Sequence, residues 1–250
     1  MDGEIPPPGP GIYLLATPIG NLEDVSLRSL RILGAADVLA CEDTRVTRRL
    51  FLRHGLPPPG ILLSCNDHNE GKVAPRLAAL AREGKVVVCC TDAGMPGISD
   101  PGHRVALEAI RAGVEFTVVP GPSAATAAVS LSGLAAASFT FFGFPPRRDG
   151  RLKEIFRRHG GLRPALVFYE SPRRLVRLLT LAAAGLGGER RAAVCLELTK
   201  KFERVARGSL AELGRRFGEG ETRGEAVVII EGRREERDGS EAAGEDEGLQ

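Results

Sequence analysis

The sequence lacks the features of several protein classes. No apolar run is long enough to span a bilayer, and no charged-then-apolar signal segment begins the chain. Cysteine is scarce, with five residues in 250, and no CxxC or His/Cys spacing typical of zinc sites occurs. Only Cys89 and Cys90 lie close together, inside an apolar run, which favours buried thiols over a disulfide framework. We therefore expect a cytoplasmic protein without a metal.

The common nucleotide-binding signatures are absent as well. The sequence contains neither GxGxxG nor a Walker loop, which argues against a standard dinucleotide enzyme or P-loop enzyme. No period of 20 to 50 residues recurs, which argues against a solenoid. With 43% hydrophobic and 26% charged residues, the composition is that of an ordinary globular protein.

The small net charge of +2 conceals an uneven distribution. Residues 231–250 hold three arginines and eight acidic residues, whereas segment 147–177 holds ten Lys/Arg and three acidic residues. Two interpretations of the basic segment remain open. It is either a solvated helix face or a footprint for phosphates.

Short β-type runs alternate with helix-type segments, and this alternation predicts an α/β protein with mainly parallel strands where helices intervene. The predicted strands are Ile12–Ala16, Ala36–Cys41, Ile61–Cys65, Val86–Cys90, Phe116–Val119, Phe139–Phe142, Ala165–Tyr169, Ala192–Leu196 and Ala226–Ile230. Helical patterns include Ser26–Leu33, Val73–Arg82, His103–Ala112 and Pro172–Leu181. We divide the chain into a lead-in (1–10), two α/β domains (11–119 and 120–232) and a disordered acidic tail (233–250).

Four strand exits have unusual sequences, and ligands of α/β proteins collect at such exits. They are Ala16–Asn21, Glu42–Arg45, Ser64–Glu70 and the Gly/Pro-rich loop Thr91–Gly102. The last is the strongest signal, because three glycines let the main chain approach a ligand closely.

Structural explanations of these loops also remain open. Asp43 can cap a helix that begins near Thr44, Asp100 can cap the helix after its loop, and His68 can be a surface residue. The three phenylalanines Phe141, Phe142 and Phe144, beside Arg147 and Arg148, are either strand core or a base-stacking surface.

Taken in order, eight motifs spread over about residues 11–232 resemble the tetrapyrrole methylase superfamily, and within it the branch that methylates ribosomal RNA. The motifs are ATPIGNL (16–22), EDTR (42–45), HNE (68–70), DAGMPGISDPG (92–102), PGPSA (120–124), FYESP (168–172), LTK (198–200) and GEA (224–226). Members of this branch often carry a further helical domain. Here an acidic stretch follows Gly232, so we expect RNA docking to depend on the core or on a dimer.

The resemblance implies a two-domain, non-Rossmann fold that binds S-adenosylmethionine (SAM) in the cleft between the domains, as a homodimer. By position, the implied cofactor-binding residues are Pro18, Asp92, Ala93, Gly94, Met95, Ile98, Ser123, Ala124, Tyr169, Leu198 and Ala226.

The implied reaction is methylation of the ribose 2′-hydroxyl of a cytidine in the decoding region of 16S rRNA, within the small ribosomal subunit. The partners expected are that RNA and a second copy of the chain, with neither DNA nor a membrane among them. We hypothesise that Glu42 or His68 takes or orients the hydroxyl proton. Residues expected to grip the RNA are Asn21, Asp43, Arg45, Asn69, Glu70, Arg147 and Arg148.

Three other functions compete with this one. A methylase of the same fold can act on a small tetrapyrrole, although the GxGPG loop typical of such enzymes is absent. A ribosome-binding protein with a vestigial SAM site is a second alternative, against which the intact Asp92–Gly102 loop argues. A metal-dependent hydrolase built on Glu42, Asp43, His68 and Asp92 is the third.

Overall fold

The computed structural model describes residues 7–220 and 223–233, which form two five-stranded sheets. Most of the predicted lead-in (residues 1–6) and of the acidic tail (234–250) lies outside the described residues. Within those ranges, no helix has the length and apolarity that crossing a membrane requires.

The first sheet is entirely parallel and has the order β3-β2-β4-β1-β5. Its strands are β1 (Gly11–Leu15), β2 (Val38–Cys41), β3 (Ile61–Ser64), β4 (Val86–Cys90) and β5 (Phe116–Val119). Its helices are α1 (Leu27–Gly34), α2 (Thr44–Arg53), α3 (Glu70–Arg82) and α4 (His103–Ala112), and a short 3₁₀ turn spans Leu22–Asp24.

This sheet is apolar on both faces because helices cover both. Every residue of Val86–Cys90 is buried. One face packs on α3 and α4 through Leu77 and Val105, and the other packs on α1 and α2 through Ile32 and Leu50. A sheet sandwiched in this way is the usual setting of parallel strands.

The second sheet has the order β6-β7-β10-β8-β9. Its strands are β6 (Phe139–Phe141), β7 (Ala165–Glu170), β8 (Arg191–Leu196), β9 (Arg204–Ser209) and β10 (Ala226–Ile230). Its helices are α5 (Ala124–Ser132), α6 (Asp149–His159), α7 (Pro172–Leu186) and α8 (Leu210–Gly218).

In this second sheet most neighbouring strand pairs are antiparallel, a pairing that the prediction of parallel strands where helices intervene does not cover. Only β6 and β7 pair in parallel, and the other three pairs are antiparallel. The reversal comes from residues 197–203, which join β8 to β9 without a helix. Strand β9 was not predicted, because its sequence RVARGS has few large apolar residues. Strands joined through a helix within this sheet still run in the same direction.

The loops that leave the central strand β4 and its neighbour β1 are joined by hydrogen bonds. The Thr17 N–H donates to the Gly94 carbonyl and the Gly94 N–H donates to the Thr17 carbonyl, both at 3.0 Å. The Thr17 hydroxyl also donates to the Thr91 carbonyl at 3.0 Å. After β1 the chain crosses to β2 on one side of the sheet, and after β4 it crosses to β5 on the other side. A crevice therefore opens between the loops that follow β1 and β4.

Glu70, which the sequence predicts to grip RNA, is instead buried against the far end of the Thr91–Gly102 loop. Its Oε1 accepts the backbone N–H groups of Gly102, Arg104 and Val105 at 2.7, 2.9 and 3.3 Å. Glu70 therefore caps α4, because the residue before this helix, Gly102, has no side chain that could do so. The sequence had offered Asp100 for this role. Gly102 has φ +139°, and a Cβ there would lie 2.6 Å from the Gly97 nitrogen.

We predict that Glu70→Ala destabilises the protein by about 3 kcal/mol, because it leaves buried N–H groups without an acceptor. The melting temperature should fall by roughly 6–12 °C for a chain of this size. Glu70→Gln, which keeps an acceptor oxygen, should lose less than half as much. Lys72→Ala, an exposed change on the same helix, is the control. An unchanged melting temperature for Glu70→Ala would contradict this assignment.

Candidate active site

A cavity of about 400 Å³ lies between the carboxyl edge of the first sheet and the second sheet. Both halves of the chain contribute to its wall. The lining residues are Ile19, Glu42, Asp92, Ala93, Gly94, Met95, Ile98, Ser99, Asp100, Ser123, Ala124, Phe144, Tyr169, Glu170, Ser171, Gly224, Glu225, Ala226 and Val227.

The second sheet reaches the cavity where β7 ends and β10 begins. Glu170 and Ala226 are antiparallel partners, so both strands present this edge together. The two halves also meet at the rim, where the Asn21 N–H donates to the Thr199 hydroxyl at 3.1 Å. A Cβ on Gly20 would lie 2.5 Å from that same oxygen, so only glycine fits this approach.

Carboxylates from two strand exits meet on one wall. The Asp43 backbone N–H donates to Asp92 Oδ1 at 2.9 Å, and the Asp92 N–H donates to Glu42 Oε2 through a long bond of 3.5 Å. Burial raises the pKa of Glu42, and the negative charge of Asp92 raises it further. Burial likewise raises the pKa of Asp92, against the opposing effect of the Asp43 N–H. Residues 7–220 and 223–233 contain no group of three or more side chains placed to hold a metal ion.

Asp100 adds a third carboxylate to this wall. It is half-buried, and its carboxylate makes no hydrogen bond or ion pair with the part of the chain that the structure describes. Burial raises the pKa of Asp100 to about 7, helped by the negative charges of Glu42, Asp67 and Asp92. The wall therefore favours a cationic ligand.

Aromatic rings form part of the opposite wall. Tyr169 contacts Phe141 and Phe144 edge-on, with centroids 4.7 and 5.7 Å apart, and burial raises the pKa of its hydroxyl. Phe142 instead stacks on the buried Phe168 at 4.9 Å. Of the three phenylalanines considered for base stacking, only Phe144 lines the cavity, and it is 58% exposed.

A groove of about 860 Å³ opens beside the cavity and shares Ser171 and Gly224 with it. Five arginines line this basic groove: Arg147, Arg173, Arg174, Arg177 and Arg223. Arg174 pairs with the fully buried Glu170 carboxylate at 2.7 Å, and Arg177 pairs with Asp149 at 2.6 Å.

Arg147 and Arg173 can offer their positive charges to a ligand. Both are exposed, and neither forms an ion pair with any described residue. The negatively charged cavity wall and the positively charged groove therefore lie next to each other.

Nine of the eleven predicted cofactor-binding residues line the cavity. The other two, Pro18 and Leu198, are buried beside it, and Leu198 packs in the same core cluster as the cavity residue Ile19. Sequence reasoning did not select Asp100, Phe144 or Glu170 as site residues. All three lie in or next to segments with distinctive sequences. The sequence pattern therefore marked these segments, but it did not show that these three side chains line the cavity.

Of the residues predicted to handle RNA or a proton, only Glu42 lines the cavity. Asp43 caps α2 through the Arg45 N–H at 2.8 Å. The Arg45 guanidinium pairs with the same carboxylate at 2.6 Å and lowers the pKa of Asp43 to about 2. Since the Arg45 side chain is 86% exposed, it stays accessible at the surface.

The other predicted residues lie outside the cavity lining. Asn21 caps the 3₁₀ turn through the Glu23 N–H, and the Asn69 amide accepts the Asn66 N–H and donates to the Ser64 carbonyl. His68 is exposed and donates only its backbone N–H, to Asn66. Arg148 is exposed at the start of α6, whereas Arg147 lines the basic groove.

The cavity fits SAM in size and chemistry. Its volume is within the usual range for small-ligand sites. SAM carries a sulfonium and an ammonium group, which suit the carboxylate wall, and an adenosine group, which suits the apolar and aromatic wall. The main chain of Asp92–Met95 is free of bulky side chains at Ala93 and Gly94, so a ligand can approach it closely.

Comparison with known proteins identifies the family of the chain. The family model described as Tetrapyrrole (Corrin/Porphyrin) Methylases matches residues 11–214. A Mesorhizobium japonicum protein named ribosomal RNA small subunit methyltransferase I is 44% identical over 230 residues, covering 91% of this chain and 78% of that protein. A Thermotoga maritima protein of the same name is 38% identical over 225 residues, covering 89% and 98%.

Solved structures of the same family share the fold. A uroporphyrin-III-C-methyltransferase from Thermus thermophilus matches with a TM-score of 0.59 and 27% identity, covering 87% of this chain and 93% of that one. A cobalt precorrin-4 methyltransferase matches with a TM-score of 0.64 at 18% identity, covering 88% and 94%, and supports the fold alone. The predicted fold class and cofactor are confirmed: the chain belongs to the tetrapyrrole methylase family, whose methyl donor is S-adenosylmethionine.

Proposed function

We propose that the protein transfers the methyl group of SAM to the ribose 2′-hydroxyl of a cytidine in the decoding region of 16S rRNA, within the small ribosomal subunit. The observation that carries this proposal is the basic groove, which opens directly into the acidic cavity at Ser171 and Gly224. The relatives named ribosomal RNA small subunit methyltransferase I support it, and the sequence motifs of that branch supply the choice of ribose and cytidine.

The groove is suited to the backbone of an RNA strand. Arg147 and Arg173 can each neutralise a phosphate without breaking an existing ion pair among the described residues. The target nucleotide has to leave its stack to enter the cavity, as in other enzymes that modify nucleotides. Phe144 lines the cavity, is an exposed residue and offers a ring on which a base can stack.

SAM supplies an electrophilic methyl group on a positively charged sulfur. The residues that would hold it are the Asp92–Met95 loop, Ser123 and Ala124 at the start of α5, Tyr169 and Ala226. Their task is to fix the donor and the hydroxyl in line, and positioning of this kind can remove several kcal/mol of the barrier. Glu42 is the better placed of the two residues predicted to act on the hydroxyl proton, since it lines the cavity and His68 does not.

The direct test uses purified protein, SAM carrying a labelled methyl group and small ribosomal subunits that lack this modification. We expect label on the ribose of one decoding-region cytidine. Label on a base, or transfer only to a uroporphyrinogen supplied in parallel, would overturn the proposed acceptor. SAM binding without transfer to either acceptor would indicate a vestigial site. Sedimentation equilibrium of the same preparation tests the predicted homodimer, for which we expect twice the chain mass, and fractionation of cells tests the predicted cytoplasmic location.

We predict that Arg147→Ala combined with Arg173→Ala weakens rRNA binding and makes it less dependent on salt. Each lost phosphate contact should reduce the slope of log affinity against log salt by about 0.7, so the pair should reduce it by about 1.4. SAM affinity should stay unchanged. The charge-matched control is Arg76→Ala with Arg111→Ala, on the exposed surfaces of α3 and α4. Equal slopes for the two double variants would exclude the groove as the RNA path.

A further inference from the structure

One carboxylate in the cavity, that of Asp100, has no partner among residues 7–220 and 223–233. Glu42 accepts the Asp92 N–H, Asp92 accepts the Asp43 N–H, and the third carboxylate of the wall, Asp100, accepts nothing from the described residues. Glu170, on the second-sheet side of the cavity, gives Oε1 to Arg174 and to the Ser171 N–H, while its Oε2 is buried without a hydrogen bond from the described residues. Asp100 is therefore the carboxylate of this wall with the most capacity left for a hydrogen bond from a ligand.

The main chain around Asp100 is held from both sides. The Gly97 N–H donates to the Pro101 carbonyl at 2.9 Å, and the Gly102 N–H donates to the buried Glu70 at 2.7 Å. Ser99 adopts the left-handed region with φ +63°. These bonds fix the main chain from which the Asp100 side chain extends, which lowers the cost of positioning the carboxylate during a reaction.

The charges that face Asp100 come from three strand exits of the first sheet. Glu42 follows β2, Asp67 follows β3 and Asp92 follows β4, and all three raise its pKa. From the second sheet it faces Tyr169, whose own pKa its charge raises. No Lys, Arg or His among the described residues counts among the groups that set its pKa of about 7. A base with that pKa is efficient at neutral pH.

We propose that Asp100 is a catalytic residue whose carboxylate accepts the proton of the acceptor hydroxyl group. The hydroxyl oxygen forms a bond to the methyl carbon, the bond between that carbon and sulfur breaks, and its electron pair neutralises the sulfonium to a thioether. The hydroxyl proton passes to an Asp100 oxygen and leaves to water afterwards. In this assignment Glu42 accepts the Asp92 N–H, and its negative charge helps to raise the pKa of Asp100. This inference rests on the proposed function.

The first test is Asp100→Asn, a change that keeps the shape of the side chain and removes its basicity. We expect the single-turnover rate to fall by about 100-fold or more. SAM, measured by calorimetry, should still bind, so that the rate at saturating SAM reports the chemical step, and the melting temperature should be kept. A rate within about twofold of the wild type would overturn the proposal.

The second test uses pH, and it keeps the proposal falsifiable if Asp100→Asn folds poorly. The reactive form of Asp100 is the deprotonated one, so the wild-type rate should rise with pH through a midpoint near 7. Asp67→Asn removes a repelling charge, so it should move the midpoint to lower pH while the rate at high pH is unchanged. An unmoved midpoint would contradict the assignment.

A readout independent of turnover is the carbon-13 NMR spectrum of the free protein with labelled aspartate carboxyls. One resonance should titrate near pH 7, disappear in Asp100→Asn and titrate at lower pH in Asp67→Asn. If no aspartate titrates near 7, the proposal fails. Wild-type protein that transfers no methyl group to rRNA would refute the proposed function itself, whereas full transfer by Asp100→Asn would refute only the role of Asp100.

Discussion

The site depends on the paired backbone hydrogen bonds between Thr17 and Gly94. Strands β1 and β4 are neighbours in the first sheet, and their exits turn to opposite sides, so without a tie the two loops would be free to spread. The tie holds Ile19 and Asp92 at one opening, and the Glu70 carboxylate fixes the far end of the same loop at Gly102. A loop anchored at both ends can present its main chain to a ligand with little loss of entropy on binding.

Charge is separated sharply around this loop. Glu42, Asp92 and Asp100 line the cavity, while Arg147 and Arg173 line the groove that joins it. Two ligands of opposite charge can therefore bind side by side, a cationic methyl donor in the cavity and a polyanion along the groove. Burial raises the pKa values of Glu42 and Asp100, and the negative charges of the neighbouring carboxylates raise them further, so that the pKa of Asp100 lies at about 7. A solved uroporphyrin-III-C-methyltransferase shares the fold, so the fold alone does not fix the acceptor, and the proposed rRNA specificity rests on the groove.

Much of this arrangement could be predicted from the sequence, and the failures have physical causes. The buried strands of the first sheet are continuous apolar runs, so their positions were predictable, as was the loop Thr91–Gly102. Strand β9 was not predicted because it lies at a sheet edge and consists of polar and small residues. The chain reverses direction between β8 and β9, so the antiparallel pairing in this sheet was not predicted either. Glu70 was assigned to RNA because sequence distance hides its contact with Gly102, 32 positions away. The burial of Glu170 could not be foreseen for the same reason, because it depends on its strand partner Ala226, 56 positions away, whereas its ion pair with Arg174 is local, four positions along the chain.

The central claim is that SAM binds in the cavity between the two sheets. The most direct measurement is a crystal structure of the protein with S-adenosylhomocysteine, the product left after transfer. We expect the ligand to contact the main chain of Asp92–Met95 on one side and Tyr169 and Ala226 on the other, with its sulfur facing the wall that carries Asp100. A ligand bound elsewhere on the chain, with this cavity left to solvent, would contradict the account.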